Sequence, residues 1–127
     1  MHNWGNKMKT DNVVAIKSKA FALRIIKLYQ YLSTEKREFV LSKQLLRSGT
    51  SIGANVKEAI RGQSKADFVA KLCISLKEAS ETEYWLELLH ESGYLKDSEF
   101  SSIYFDCVEL LKLLTAIINS SKGGKDA

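Results

Sequence analysis

No proline occurs anywhere in the 127 residues of the sequence. Proline ends helices and is frequent at turns, so its absence from a chain of this length favours long uninterrupted helices over a turn-rich β architecture. Hydrophobic residues make up 45% and charged residues 27% of the chain, which is the usage of a folded globular protein. We therefore predict an all-α fold in which residues 1–127 form one domain.

Apolar residues recur at helical spacing in four stretches of the chain. We expect the first helix to follow Asp11 or Asn12 as its N-cap and the second to follow Thr34, while Gly62 and Gly93 end the second and third. The pattern predicts helices at about residues 13–32, 35–61, 65–92 and 98–120. Because the connections are only about three to five residues long, consecutive helices should pack side by side in opposite directions. The prediction is an antiparallel up-down-up-down four-helix bundle.

Two of these helices carry apolar residues outside their core-facing stripes. On helix 1, Ile16 and Leu23 point away from the inner stripe, and helix 3 has a second apolar stripe that is interrupted by Glu81. That second stripe contains Ile74, Trp85 and Leu88. A tryptophan with aliphatic neighbours on an outer face is a common signature of an interface. We expect all of these residues to lie between copies of the protein in a homo-oligomer.

Basic and acidic residues are distributed unevenly along the chain. Residues 1–77 have a net charge of +10 and residues 78–127 a net charge of −6. A positive stripe can neutralise phosphates and bind RNA or DNA independently of base sequence. The candidate residues for such binding, all on helices 1 and 2, are Lys17, Arg24, Lys27, Lys36, Lys43, Arg47, Lys57 and Arg61.

The same cations have a purely structural interpretation. They can pair with acidic residues of helix 3, within one subunit or between subunits. The acidic residues concerned are Glu78, Glu81, Glu87 and Glu91. Arg47 in particular can form a bidentate hydrogen-bonded pair with one of these carboxylates. The choice between the two interpretations depends on where the charges lie in three dimensions.

The apparent catalytic and metal-binding motifs lack the partners that they need. The segment GTSIG at residues 49–53 matches the GxSxG nucleophile motif, but that motif requires a preceding strand. Within a helix, small residues instead let a neighbouring helix approach closely. His2 and His90 have no metal-ligand spacing to a cysteine or to another histidine. We therefore expect no enzymatic activity, no metal or other cofactor, and no small-molecule substrate.

The sequence contains no segment that predicts a membrane or secretory protein. No apolar run reaches the roughly 18 residues that a bilayer crossing needs. The amino-terminal residues MHNWGNKMKTDN lack the apolar segment of a signal peptide. Cys73 and Cys107 lie within apolar helical patterns and lack CxxC spacing, which is typical of buried thiols in a reducing compartment. We predict a cytoplasmic protein that does not bind membranes.

Three segments of the chain resemble a known bacterial family. KSKAFALRIIKLYQYL in helix 1, LSKQLLRSGTSIGANVKEA in helix 2 and SKADFVAKLCISLKEASETEYWLELL in helix 3 are similar to the four-helix bundle proteins encoded in 23S rRNA intervening sequences. The resemblance implies a small bundle that assembles into a ring-like homopentamer and has no established activity. A more distant similarity is to the accessory variability protein of diversity-generating retroelements, a basic pentameric bundle that binds nucleic acid and the reverse transcriptase.

The resemblance also marks a set of polar positions as typical of the family. These are Arg47, Ser51, Asn55, Glu58, Glu78, Glu81, Glu83 and Trp85. Two hypotheses of function follow. In the first, a non-enzymatic homo-oligomer, the pentamer that the resemblance implies, binds nucleic acid through its basic face. In the second, the protein is a protein–protein interaction scaffold with no nucleic-acid role.

Overall fold

The computed structural model describes residues 8–123, and the side chains of residues 13–122. These residues form four helices and no strand: α1 (Met8–Thr34), α2 (Leu41–Ile60), α3 (Lys65–Glu91) and α4 (Asp97–Gly123). The predicted all-α fold is confirmed. Over the part of the chain described, none of these helices combines the length and the apolarity that a membrane crossing requires.

Contacts between α2 and α3 establish that these two helices run in opposite directions. The hydroxyl of Ser75 donates a 2.8 Å hydrogen bond to the carbonyl oxygen of Ile52. Ser48 lies one turn before Ile52 in α2, and Thr82 lies two turns after Ser75 in α3. The hydroxyl groups of Ser48 and Thr82 are also hydrogen-bonded to each other. Residue numbers therefore fall along α2 as they rise along α3.

The remaining helix pairs follow the same antiparallel rule. Gly49 and Gly53 of α2 lie against Ile25 and Ser18 of α1, respectively. α4 packs against both α3 and α1, and α1 packs mainly against α2 and α4. The helices thus stand in the order α1, α2, α3, α4 around the bundle, with each one antiparallel to the next.

The GTSIG segment lies where α2 approaches α1 most closely. A Cβ atom added at Gly49 would be 2.9 Å from Cγ1 and Cγ2 of Ile25, which is closer than real Cβ contacts allow. At Gly53 the nearest atom would be Ser18 Oγ at 3.3 Å. The prediction that these small residues serve helix packing is confirmed, because the segment is helical throughout and follows no strand.

Side chains from all four helices fill the core between them. The largest fully buried side chains include Phe21 and Ile25 on α1, Ile52 on α2, Phe68 on α3 and Leu114 on α4. These positions repeat at helical spacing, so each helix buries one face. The helical spacing of apolar residues that predicted the four helices therefore also marks their buried faces, although a few apolar residues, such as Leu28, are only half-buried.

The first turn of α2 is capped by a side chain from the preceding loop. The carboxylate of Glu38 accepts hydrogen bonds from the backbone N–H groups of Val40, Leu41 and Ser42, at 3.2, 2.9 and 2.6 Å. The first N–H groups of a helix have no carbonyl partner of their own, so this cap satisfies them. The predicted helix start near residue 35 is therefore wrong. Residues 35–40 form a loop, in which Arg37 has a φ of 55°.

The start of α1 also differs from its prediction. The helix begins at Met8 rather than near residue 13, so Asp11 and Asn12 lie inside it and do not cap it. Residues 8–12 include neither glycine nor proline, so their backbones do not oppose a helix. The other predicted ends are within three residues of the observed ones. Gly93 ends α3 as predicted, with a φ of 91°.

Candidate nucleic-acid interface

Two cations on the outward side of α2 and a third directly after its last residue have no acidic partner in the described part of the chain. Lys43, Lys57 and Arg61 are exposed, and none of them forms an ion pair within the described residues. Eighteen residues separate Lys43 from Arg61, which is five turns and about 27 Å along the helix axis. The three side chains therefore form a row of uncompensated positive charge along one side of the helix.

Two of these cations border a groove between α1 and α2. The α1–α2 groove, with a volume of about 540 Å³, is lined by Lys19, Lys57 and Arg61 but by no acidic residue that the structure describes. Its other lining residues are small or aliphatic: Ala15, Ser18, Ala22, Thr50, Gly53, Ala54 and Ile60. Small side chains leave the space, and the cations give it a positive rim.

Lys19 is a groove residue that the sequence prediction missed. It follows Lys17 by only two residues, so the two side chains leave α1 in directions about 160° apart. The prediction selected Lys17 because it shares a side of the helix with Arg24. Only the packing of α1 against α2 decides that Lys19, on the other side, borders the groove.

The cations on the opposite side of α1 are paired with α4. Lys17 Nζ is 3.3 Å from Glu109 Oε2, and Arg24 Nη1 is 2.6 Å from Asp106 Oδ2. Arg24 Nη2 also donates to Ser102 Oγ at 3.0 Å. Within the subunit these two cations therefore pair with α4 and not with helix 3, because α1 packs mainly against α2 and α4.

Arg47 is held between two carboxylates of α3. Its Nη1 is 3.2 Å from Glu78 Oε1, and its Nη2 contacts Glu81 Oε2, which also accepts a 3.1 Å hydrogen bond from Trp85 Nε1. The hydrogen bonds from Arg47 and Trp85 hold the pKa of Glu81 below its ordinary value. Pairing between a helix 2 cation and helix 3 is confirmed here, although the guanidinium divides its donors between two carboxylates.

The last two predicted cations lie near the α1–α2 loop end of the bundle. Lys36 belongs to the loop and not to α2, so its predicted place in the helix 2 stripe is wrong. Its Nζ is 5.9 Å from the centroid of the Tyr31 ring. Lys27 lines a smaller pocket of about 300 Å³ together with Arg24, Tyr31 and Glu99. The eight predicted cations therefore do not form one continuous face.

The predicted interface residues divide into exposed and half-buried sets. Ile16 is 68% exposed and Leu23 55% exposed on α1, and Ile74 is also exposed on α3. Trp85 packs partly against the core. Leu88 and Glu81 are likewise of intermediate exposure. Phe105 on α4, which the prediction did not include, is 70% exposed.

A tyrosine on α4 connects two glutamates of α3. The Tyr104 hydroxyl is 3.0 Å from Glu83 Oε2 and 2.8 Å from Glu87 Oε2. One hydroxyl has one proton, so it donates to one carboxylate at a time. The hydrogen bond to Glu87, with burial and Glu83, raises the pKa of Tyr104. Glu87, a predicted partner of the basic helices, is thus engaged by α4.

No group of three or more His, Cys, Asp or Glu side chains among residues 13–122 is arranged to hold a metal ion. His90 Nε2 is 2.7 Å from Asp97 Oδ1, and its ring stacks on Phe100 at a centroid distance of 4.1 Å. His2 lies outside the described residues. His90 is therefore placed at the turn between α3 and α4 as a packing residue.

The family model described as "23S rRNA-intervening sequence protein" matches residues 10–116, which include most of α1 and α4 and the whole of α2 and α3. The chain belongs to the 23S rRNA-intervening sequence protein family. The description of this family names no reaction. None of the curated proteins matches the chain.

A solved structure supports membership of the 23S rRNA-intervening sequence protein family. It is a protein of unknown function from the S23 ribosomal protein family of Bacteroides thetaiotaomicron VPI-5482, 57% identical to this chain. The similarity covers 87% of this chain and 98% of that one, with a TM-score of 0.85. At this identity the two chains share both fold and family. The more distant similarity to the retroelement accessory protein stays a prediction.

Proposed function

We propose that this 23S rRNA-intervening sequence family protein is a non-enzymatic, cytoplasmic homo-oligomer that binds RNA or DNA through the row of cations on α2 and the α1–α2 groove. One observation carries the proposal. Among the described residues, Lys43, Lys57, Arg61 and Lys19 have no acidic partner, whereas Lys17, Arg24 and Arg47 are each neutralised within the subunit. The unpaired set is thus available to bind phosphates.

Binding of this kind depends on charge and not on base sequence. A lysine or arginine that neutralises a phosphate releases a counterion from the nucleic acid, so affinity falls as salt rises. A cation already paired with a carboxylate contributes less, because it must first leave its partner. Unpaired and paired cations should therefore contribute differently to nucleic-acid affinity, although each carries the same formal charge.

Fluorescence anisotropy with a labelled RNA, at salt concentrations between about 50 and 200 mM, tests the proposal. The test variant is Lys57→Gln/Arg61→Gln. The matched control is Lys17→Gln/Arg24→Gln, which removes the same charge from paired positions. We expect the test variant to lower the log–log salt slope by roughly 1.4, about 0.7 for each phosphate of a single-stranded RNA that is no longer neutralised. The control should change the slope by less than half of that.

Two results would contradict nucleic-acid binding through this face. One is no binding by the unmodified protein at low salt. The other is an equal effect of the test and control variants, since that outcome would mean that net charge alone governs the interaction. Circular dichroism of each variant checks that the helices are retained.

The homo-oligomer is supported by the apolar residues on the outside of α1. Ile16 and Leu23 are two turns apart on one side of the helix and are both more than half exposed. Covering such a strip removes apolar surface from water and stabilises association. We propose a pentamer, the assembly that the family resemblance implies.

Size-exclusion chromatography with light scattering tests the assembly. We expect the unmodified protein to have five times the subunit mass and Leu23→Glu to shift it towards the monomer. Ser80→Glu, which adds the same charge at an exposed position of α3 outside the stripe of Ile74 and Trp85, is the control and should keep the mass. A monomer of unmodified protein at micromolar concentration would end the proposal of assembly.

A protein–protein scaffold without a nucleic-acid role is the second candidate. The observation that favours it is the exposed Phe105 ring on α4, a helix that also carries a shallow pocket lined in part by Val108 and Leu111. Purification of the tagged protein with and without nuclease separates the two candidates. Partners that depend on nucleic acid support the first, and partners that resist nuclease support the second.

A further inference from the structure

The α1–α2 loop, residues 35–40, presents apolar side chains to solvent. Phe39 is 47% exposed and Val40 71% exposed. Neither side chain packs against the core, although Leu41, which follows Val40 directly, does. The loop is nevertheless held in place, because the backbone N–H of Glu38 donates a 2.9 Å hydrogen bond to the carbonyl oxygen of Leu32. The exposed ring of Phe39 therefore sits on a fixed support.

One cation lies against this aromatic ring, and two more are close to it in sequence. The Arg37 guanidinium carbon is 5.6 Å from the centroid of the Phe39 ring, and Lys36 lies over the Tyr31 ring. Lys43 is exposed in the first turn of α2. None of these three cations forms an ion pair within the described residues. The loop thus combines an aromatic face with unpaired positive charge.

The acidic residues of the loop do not cancel this charge. Glu38 is buried, and its carboxylate is engaged by three N–H groups of α2. Glu35 is the one exposed carboxylate of the loop, whereas three cations are exposed there: Lys36, Arg37 and the neighbouring Lys43. The capping of α2 therefore removes one negative charge from the outer surface of the loop.

We propose that the α1–α2 loop binds unpaired nucleotides of a single-stranded RNA or DNA, with a base stacked on Phe39 and the flanking phosphates bound by Lys36, Arg37 and Lys43. An exposed aromatic ring among cations is the arrangement that binds single strands, since every base has a face that can stack. This inference rests on the proposed function, because it assigns part of the same nucleic-acid binding to the loop.

The loop favours single strands over duplexes for a physical reason. In a duplex both faces of an internal base are covered by its neighbours, so a protein that approaches from outside can contact phosphates, sugar hydroxyls and base edges but finds no free base face to stack on. Phe39 can add to the binding of a single strand but not to that of a continuous duplex. The cations of the α1–α2 groove, by contrast, can bind the phosphates of either.

Anisotropy titrations with a single-stranded oligouridine and with a duplex RNA of the same length test the inference. The variants are Phe39→Ala, which removes the ring, and Phe39→Trp, which keeps an aromatic face. Phe105→Ala is the matched control, because it removes an exposed phenylalanine from another surface. We expect Phe39→Ala to weaken single-strand binding by roughly tenfold, the loss of about one base–aromatic stack.

Phe39→Ala should leave the affinity for duplex RNA within about twofold of that of the unmodified protein. Phe39→Trp should bind the single strand as tightly as the unmodified protein does. Phe105→Ala should change neither the single-strand affinity nor the duplex affinity. Equal single-strand affinity of Phe39→Ala and the unmodified protein overturns the inference while leaving the proposed function in place. Failure of the unmodified protein to bind either RNA overturns both the inference and the proposed function.

Each variant is also passed through size-exclusion chromatography. The Phe39→Ala oligomer could dissociate into smaller species while each subunit keeps its affinity for the single strand. That result would show that Phe39 holds subunits together, and it would overturn the inference.

Discussion

The hydroxyl oxygens of Ser48 on α2 and Thr82 on α3 lie 2.8 Å apart inside the core. Both side chains are fully buried, and Thr82 Oγ1 is also 2.7 Å from the carbonyl oxygen of Glu78. Apart from Thr82, Ser48 Oγ has only a long contact of 3.5 Å, to the carbonyl oxygen of Leu45. Ser48 therefore depends on Thr82 for its one short hydrogen bond in the α2–α3 interface, whereas Thr82 also has the Glu78 carbonyl.

We expect Thr82→Val to lower the free energy of unfolding by about 1–2 kcal/mol, because it keeps the shape of the side chain but leaves Ser48 Oγ poorly bonded. Urea denaturation measures the change. The double variant Ser48→Ala/Thr82→Val should lose less than the sum of the two single variants, since it removes both partners. Thr115→Val, at an exposed position of α4, is the control and should stay within about 0.5 kcal/mol. A Thr82→Val variant as stable as the unmodified protein would contradict the pairing.

Gly49→Ala should destabilise the bundle although alanine favours helices. Its Cβ would be 2.9 Å from two carbons of the buried Ile25 side chain, and overpacking of this kind costs about 1–3 kcal/mol. The gain in helix propensity offsets about 1 kcal/mol of that cost. Gly53→Ala is the matched comparison, with a looser nearest contact of 3.3 Å to Ser18 Oγ. In thermal unfolding, the melting temperature of Gly49→Ala should be lower than that of Gly53→Ala. The reverse order of melting temperatures would contradict the packing described.

Glu38 should make the stability of the protein depend on pH in the acid range. Burial raises the pKa of Glu38, but hydrogen bonds from the backbone N–H groups of Leu41, Ser42 and Val40 outweigh it, so the pKa lies below the ordinary value of 4.5. A carboxyl group with a lowered folded-state pKa stabilises the fold above its unfolded-state pKa, and that stability is lost as pH falls through the folded-state pKa.

Glu38→Gln should therefore cost about 1 kcal/mol near neutral pH, the typical value of a helix cap. The difference from the unmodified protein should shrink as the pH falls below about 4. Urea denaturation at several pH values measures this, with Glu35→Gln in the same loop as the control. The difference in unfolding free energy between Glu38→Gln and the unmodified protein could instead stay constant down to the acid range. That result would show that the charged cap is not the source of the difference.

The two cysteines should differ in reactivity. Burial, with the nearby charges of Glu83 and Glu87, raises the pKa of the Cys107 thiol to about 12, and that side chain has no exposed surface. Cys73 on α3 is only half-buried. In the folded protein a thiol reagent should label Cys73 but not Cys107, because the thiolate is the reactive form. Mass spectrometry of Cys73→Ser should find no label until denaturant is added. Rapid labelling of Cys107 in folded Cys73→Ser would contradict its burial.

The fold could be predicted from the sequence because helical spacing of apolar residues is a local property. Phe21 and Ile25, or Leu110 and Leu114, mark the buried face of their helix wherever its neighbours lie. The start of α2 could not be predicted in this way. It depends on the carboxylate of Glu38 turning back onto backbone N–H groups, and helix propensity alone would let residues 35–40 continue the helix.

The candidate site was only partly predictable, because the identity of a charged residue does not reveal its neighbour. Lys17 and Lys19 are two residues apart, yet the first is paired with Glu109 and the second borders the α1–α2 groove. Arg47 and Lys43 likewise share a face of α2, but only Arg47 is within reach of Glu78 and Glu81. Which cations stay unpaired is decided by helix packing, a property of the assembled bundle.

The order of the helices around the bundle has a consequence for how the chain reaches its native structure. Among the principal helix–helix contacts of the described residues, only that of α1 with α4 joins elements distant in sequence; the others join consecutive helices. Proteins dominated by such local contacts cross their folding barrier fast, in microseconds to milliseconds, since little loop entropy is lost before contacts form. The ion pairs of Lys17 and Arg24 join the first and the last of the described helices, so we expect them to form late along the folding pathway and to slow unfolding more than they speed folding.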